Sequence, residues 1–396
     1  MATSSDTIWV ESHAKELGFD LCGVVSAKRF PELERTEEWL ARGFAGEMKY
    51  LSDPRRRSGD LAFPGIRGVI VCGLNYNAAV PKSTDVPHLP KTDSEPRGWI
   101  SRYAWGDDYH EVMKEKLDEL AASLHEHFSE PFEARVYSDT GPVQERIFAK
   151  YAGLGWLGKN TLLLNQRLGS WFFLGAILTT LDLAPSLGAG EVPPPDLCGS
   201  CRRCIDACPT QAFVEPYVMD ARRCIAYLTI ELRGAIPAEF REPIGSNVFG
   251  CDICQDVCPW NRRAPETKRE EFRPRTFIAT ESALRDIEHS SGLSAQQDDP
   301  QEAGELAEES LYLPRLEWLA NLKEAEFRRI FQDSPIKRTK WRGLVRNACI
   351  ALGNSDLHPG TSGYQRIIEL LQRLSSSEDA AIAESAFWAL SRIQVQ

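Results

Sequence analysis

The residues able to do chemistry concentrate between Cys198 and Cys258. The stretch opens with Cys198-x2-Cys201-x2-Cys204-x3-Cys208-Pro209, passes Cys224, and closes with Cys251-x2-Cys254-x3-Cys258-Pro259; eight of the eleven cysteines lie in it. Three thiolates on one tight loop take three corners of a 4Fe–4S cube, and the fourth corner comes from a distant Cys followed by Pro. The spacing gives one cube to Cys198, Cys201, Cys204 and Cys258. It gives the other to Cys251, Cys254, Cys208 and Cys224. The second half-site departs from the pattern, because Cys224 stands alone well before Cys251. Zinc would use paired Cys-x2-Cys motifs but has no need of the doubled Cys-Pro. Disulfides would require an oxidising compartment, and nothing in the sequence reads as a secretion signal.

Two clusters move single electrons and do little chemistry unaided. About 190 residues precede them and about 130 follow, far more than an electron carrier needs. Asp139 is the candidate acid. It falls in Asp139-Thr140-Gly141-Pro142 between an expected strand and an expected helix, where a carboxylate either faces a cleft or simply caps the helix. His110 and His358 have equally good structural readings. The glycine-dense turn at 153–160 lacks the spacing of a P-loop or a dinucleotide fingerprint.

Other elements must position these residues. The 396 residues are 42% hydrophobic and 26% charged, ordinary for a globular chain, with a net charge of −11 that disfavours nonspecific nucleic-acid binding by the whole surface. Charge is uneven: residues 281–311 are acidic apart from Arg285, whereas Lys337, Arg338, Lys340, Arg342 and Arg346 share a stretch with no acid. Arg342 and Arg346 share a helix face, as either a solvated face or a phosphate contact. The longest strongly apolar run, Trp171–Leu178, is too short to span a bilayer. The start has no basic and apolar leader, so a cytoplasmic protein is expected. Periodicity predicts helices over Ile8–Leu17, over Asp108–Phe128 and from Val143, with strands at Leu21–Ala27, Val69–Tyr76, Phe132–Ser138 and Trp171–Leu181. Residues 77–98 read as an exposed loop and Pro185–Pro195 as a linker. Cys22, Cys72 and Cys349 read as small core residues. Residues 289–310 read as a flexible acidic insertion, followed by a helical tail. In that tail Arg346–Gly353 aligns with Glu384–Ser391 at a period of 38 residues, just short of HEAT-type helical pairs; an ordinary helical bundle is the alternative.

Taken together, Ser101-Arg102-Tyr103-Ala104-Trp105-Gly106, Asp108-Tyr109-His110, Asp139-Thr140-Gly141-Pro142, Gly158-Lys159-Asn160, the cysteine runs and Arg346-Asn347-Ala348 resemble the epoxyqueuosine reductase family. The resemblance implies an α/β cobalamin-binding domain over residues 1–185, of nitroreductase-like and reductive-dehalogenase-like type. A bacterial ferredoxin-like domain with two 4Fe–4S clusters would cover 186–270, and an all-α HEAT-like tRNA-binding domain 271–396. Cobalamin would bind base-off, in keeping with the absence of an Asp-x-His-x-x-Gly motif. The implied reaction deoxygenates epoxyqueuosine to queuosine at the wobble position of tRNA. Asp139 would be the proton donor, and Arg56, Arg102, Asp139, Lys159, Asn160, Ser170 and Asp252 would contact cobalamin. Arg338, Arg342 and Arg346 would contact tRNA phosphates. An external donor such as flavodoxin or ferredoxin would supply electrons to a monomeric enzyme with no membrane partner. Two other readings of the same residues are a reductive dehalogenase of a small molecule and a ferredoxin-type carrier.

Overall fold

The computed structural model describes residues 4–28, 30–57, 62–85, 95–278, 308–361 and 363–394. Most of the acidic stretch 289–310 lies outside the described residues. The chain forms two compact units that interleave in sequence: residues 1–87, 108–224 and 252–272, and residues 88–107, 225–251 and 273–396. This division differs from three consecutive segments. The cysteine run up to Cys224 folds with the N-terminal sheet, and residues 95–107 and 225–251 fold with the C-terminal helices. In the second unit Trp99–Ile100 pairs in parallel with Asn247–Phe249, a contact between sequence-distant segments that no local pattern announces.

The first unit is built on a four-stranded sheet of β1 (Leu21–Ser26), β2 (Gly68–Asn75), β3 (Ala134–Tyr137) and β4 (Phe172–Thr179), in spatial order β1-β2-β4-β3. Every pairing is antiparallel. All eight residues of β2 are buried, which is why its sequence reads as a continuous apolar run rather than an alternation. Helices α1 (Ser4–Glu16), α2 (Pro31–Ala41), α3 (Tyr109–His127) and α4 (Glu145–Tyr151) flank the sheet. α3 crosses one face so closely that a Cβ on Gly175 would lie 2.6 Å from Leu117. On the other face Phe30 and Leu33 join Ile147, Phe148 and Ala149 of α4 over Val69, Val71, Ala176 and Leu178. Cys22 and Cys72 face each other across β1 and β2; Cys72 and Cys349 are buried and Cys22 is half-buried.

The second unit contains α5 (Ile225–Ile230), α6 (Leu316–Asn321), α7 (Glu324–Phe331), α8 (Lys340–Gly353), α9 (Tyr364–Leu374) and α10 (Ala380–Ile393). α8 is buried continuously from Gly343 to Gly353, the mark of a central helix rather than an amphipathic surface one. The 38-residue repeat falls on α8 and α10. Its small residues Ala348, Ala351, Ala386 and Ala389 are all buried, and Gly353 is so near α10 that a Cβ there would lie 2.7 Å from the Trp388 ring. Among the described residues no helix is long and apolar enough to cross a membrane.

Candidate active site

The two Cys-x3-Cys-Pro runs fold alike. Each makes a one-turn helix, Arg203–Asp206 and Ile253–Asp256. Each then closes its second cysteine by the same hydrogen bond, Cys208 N–H to Ile205 O at 3.3 Å and Cys258 N–H to Gln255 O at 3.1 Å. The local structure thus repeats the pseudo-symmetry of the sequence. Four thiols of the first expected ligand set lie within mutual electrostatic reach. Burial pushes the Cys204 thiol up to about 11, and the neighbouring Cys258, Cys198 and Cys201 push it further in the same direction. Burial disfavours bare thiolates at Cys198, Cys204 and Cys258, so these sulfurs suit a cationic iron cluster that takes them as thiolates.

Trp156 closes this sulfur nest. It is fully buried in an apolar cluster with Leu164, Cys258, Leu197, Cys198 and Trp260. Its indole N–H has no hydrogen-bond acceptor among the described residues, yet it lies near enough to Cys198 to favour the thiolate against the dominant effect of burial. Such a buried donor calls for a partner, and the Cys198 sulfur is the one beside it.

The glycine-dense turn serves the same nest. A Cβ on Gly155 would lie 2.0 Å from Leu164 O, and one on Gly158 2.6 Å from the Leu164 side chain. Only glycine lets Trp156–Leu157 pair tightly with Leu163–Leu164 and present Lys159 and Asn160 at the hairpin tip. Lys159 Nζ donates to Gly199 O and to Cys201 O at 3.0 Å. Asn160 Nδ2 donates to Cys254 O at 3.5 Å. Ser170 Oγ accepts from Gln255 Nε2 at 3.0 Å and Asn261 Nδ2 at 2.9 Å, and Asp252 is buried. These four candidate cofactor residues therefore gather around the cysteine loops.

Asp139 lies elsewhere on the same unit. The helix that follows it begins only at Glu145, with Gln144 at the N-cap, so Asp139 is not a helix cap. It has a left-handed backbone, φ 56°, uncommon for a residue with a Cβ. Gly141 folds the turn back onto Tyr137, where a Cβ would lie 2.2 Å from the ring. The Asp139 N–H donates to Glu145 Oε1 at 2.9 Å, and Tyr109 Oη donates to Asp139 Oδ2 at 2.8 Å. His110 Nε2 lies 3.9 Å from the same oxygen, while its Nδ1 pairs with Asp108 Oδ1 at 2.6 Å. The Asp139 side chain stays 71% exposed, open to a substrate. Burial pushes the Glu145 carboxyl up to about 7, and the Asp139 charge adds to the rise. Beside the turn, Arg56 lines a cleft with Leu33, Pro142, Val143 and Gln144.

A row of aromatic rings joins Asp139 to the cluster segment. Tyr109 stacks on Phe173 at 4.3 Å, Phe173 meets Tyr76 at 4.3 Å, and Tyr76 Oη accepts from Gln255 Nε2 at 3.3 Å. Sequence reading missed Tyr109, Glu145 and Trp156 as site residues. Tyr109 lies in a quoted motif, but nothing in the pattern marks Glu145 or Trp156.

In the second unit Arg102 is buried, its guanidinium 5.0 Å from the Trp105 ring. The three tail arginines differ. Arg342 is 70% exposed and reaches Asp379 at 3.4 Å, and Arg338 forms a half-exposed bidentate pair with Glu231. Arg346 overturns the expectation of a phosphate contact. It is 1% exposed, and its guanidinium donates to Leu228 O, Leu232 O, Gly234 O and Asn347 Oδ1. It ties the end of α5 to α8. A fully hydrogen-bonded, buried guanidinium has no donor to offer a phosphate.

Comparison with known proteins settles the family. Residues 197–261, which hold all eight motif cysteines, match the model of a 4Fe-4S double cluster binding domain. Residues 56–140 match the model described as Epoxyqueuosine reductase QueG, DUF1730. An epoxyqueuosine reductase of Xanthomonas campestris is 36% identical over 387 residues, spanning 97% of this chain and 95% of its own. The chain belongs to the epoxyqueuosine reductase family. A crystal structure of an epoxyqueuosine reductase with an epoxyqueuosine-modified tRNA-Tyr stem loop is similar at TM-score 0.77 and 27% identity, covering 98% of this chain and 90% of that one. An epoxyqueuosine reductase from Bacillus subtilis, with its catalytic aspartate loop swung out of the active site, is similar at TM-score 0.72 and 26% identity, covering 98% and 99%. The epoxyqueuosine reductase match of residues 56–140 takes in Arg56, Arg102, Tyr109 and Asp139.

Proposed function

We propose that this chain reduces epoxyqueuosine to queuosine at the wobble position of tRNA, releasing the epoxide oxygen as water with two electrons and two protons. The observation that carries the reading is the match along nearly the whole chain to epoxyqueuosine reductases; one similar structure holds an epoxyqueuosine-modified stem loop.

Asp139 is the proton donor in this reading. An alkoxide is a poor leaving group, and a positioned acid contributes roughly 10²–10⁴-fold to such a step. The exposed carboxylate accepts from Tyr109 while the Asp139 backbone N–H donates to Glu145, and this supports that role. Cobalamin bound base-off would supply a strongly reducing cobalt centre. Its fit rests on the aromatic row Tyr109–Phe173–Tyr76, an apolar wall between the acid and the cluster loops. Arg56, from the cleft beside the Asp139 turn, and Arg102 and Asp252 are the contacts we assign to it. Lys159, Asn160 and Ser170 have polar atoms engaged by the cysteine segments, so we assign them to shaping the cofactor site from the cluster side.

The clusters relay single electrons. We assign Cys198, Cys201, Cys204 and Cys258 to one and Cys251, Cys254, Cys208 and Cys224 to the other. The electron source is an external donor of the flavodoxin or ferredoxin class, and the working form is a cytoplasmic monomer. The helices of the second unit hold the tRNA in a HEAT-like manner, with Arg338 and Arg342 on phosphates. The test is to incubate reconstituted holoenzyme and reductant with epoxyqueuosine-containing tRNA. One oxygen should leave the modified nucleoside, and an unchanged nucleoside overturns the reading.

A further inference from the structure

The left-handed backbone of Asp139 needs a restraint. For a residue with a Cβ, that conformation is disfavoured, and relaxation to a negative φ would swing the carboxylate away from Tyr109. The turn is short, with Thr140 N–H on Ser138 O at 2.6 Å and Gly141 packed onto Tyr137. The first of these holds the carbonyl of the peptide before Asp139. Glu145 holds the N–H of that same peptide. Its Oε1 accepts the Asp139 N–H at 2.9 Å, and it stands as the first residue of α4. Two residues on, Ile147, Phe148 and Ala149 are buried in the core beneath β2 and β4. The carboxylate therefore reaches back from a rigid element to the one backbone donor whose direction sets φ at Asp139.

We propose that Glu145 is the positioning residue of the reaction: a latch that holds Asp139 in its proton-delivering conformation, with Tyr109 gripping the carboxylate from the other side. The inference deepens the reading of Asp139 as proton donor and rests on it. Glu145 touches neither substrate nor cofactor in this role. It needs only an acceptor oxygen at the right distance, so glutamine, which keeps a carbonyl oxygen there, suffices and alanine does not. Burial makes the site tolerant of that neutral acceptor, since the carboxyl itself titrates only at about 7.

The test uses holoenzyme reconstituted with iron, sulfide and cobalamin, acting on an epoxyqueuosine-modified anticodon stem loop. Glu145→Ala should lower kcat roughly 10- to 100-fold, the scale of a misplaced catalytic group. KM, iron content and bound cobalamin should stay within about twofold of wild type if only orientation is lost. Glu145→Gln should recover most of the rate. In an Asp139→Asn background, Glu145→Ala should add no further loss, because the group it positions is already gone. Wild-type kcat in Glu145→Ala with a dead Asp139→Asn enzyme overturns the latch and leaves the proton donor standing. Glu145→Gln as impaired as alanine, in protein with full cofactor content, also overturns it. A wild-type rate in Asp139→Asn overturns the reading beneath it, and the latch with it.

Discussion

Tyr109 Oη donates a hydrogen bond to Asp139 Oδ2 at 2.8 Å, and the ring that carries it is stacked on Phe173 at 4.3 Å with an interplanar angle of 2°. The phenol is thus held by packing, not by the bond it makes. Removing the hydroxyl should leave the ring in place and free the carboxylate to rotate. Tyr109→Phe should lower kcat about 10- to 100-fold, on the scale of one lost hydrogen bond to a charged group, with KM for the stem loop unchanged. Single-turnover rates at saturating RNA check this.

The tail arginines should separate by function. Arg342→Glu should weaken tRNA binding and reduce the salt slope of log Kd by about one, the signature of a lost phosphate contact. Arg346→Met should instead cost at least about 2 kcal/mol of stability, since it strands the carbonyls that close α5, and should leave the salt slope of the folded fraction unchanged. Fluorescence anisotropy across a salt series, paired with thermal unfolding, distinguishes the two.

Trp156 should tune one cluster. Hydrogen bonds to ligand sulfur stabilise the reduced, more negative state and raise the potential. Trp156→Phe keeps the ring and loses the N–H beside Cys198. The potential of one cluster should fall while the other holds. A redox titration followed by electron paramagnetic resonance reads both in one sample.

Much of this was legible in the sequence, and the limits have physical causes. Strands β1 to β4 and helices α1 and α3 stand out because burial imposes period 2, period 3.6 or a continuous apolar run on local residues. The cysteine runs stand out because a 4Fe–4S double-cluster domain, which residues 197–261 match, keeps a fixed cysteine spacing. Arg346 was misread because a basic run with no acid looks the same whether its guanidinium faces water or the carbonyl ends of another helix. The interleaving of the two units was not legible because the pairing of Trp99–Ile100 with Asn247–Phe249 joins distant segments. Glu145 was missed because an acidic residue opening a helix is commonplace; only the left-handed φ six residues earlier gives it meaning.

Glu145 also carries a pH signature. Its carboxyl is raised from 4.5 to about 7, burial first and the Asp139 charge second. The folded chain therefore binds this proton more tightly than the unfolded one, so the contribution to stability is fully present below about 4.5 and is lost as pH rises through about 7. Glu145→Gln removes that loss. Its gain in unfolding temperature should be larger at pH 8.5 than at pH 5.5, with differential scanning fluorimetry as the readout; an equal gain at both would contradict the burial of the charge.

The proposed reaction deoxygenates a tRNA base with cobalamin fed from two clusters and with Asp139 as the acid. The most direct test compares wild type and Asp139→Asn, each reconstituted anaerobically with iron and sulfide, with and without cobalamin. Both receive reductant and epoxyqueuosine-containing tRNA, and the digested nucleosides are weighed by mass spectrometry. We predict loss of one oxygen only with wild type plus cobalamin, and none with Asp139→Asn despite full iron and corrin content. Turnover without cobalamin, or equal turnover by the two proteins, would contradict the account.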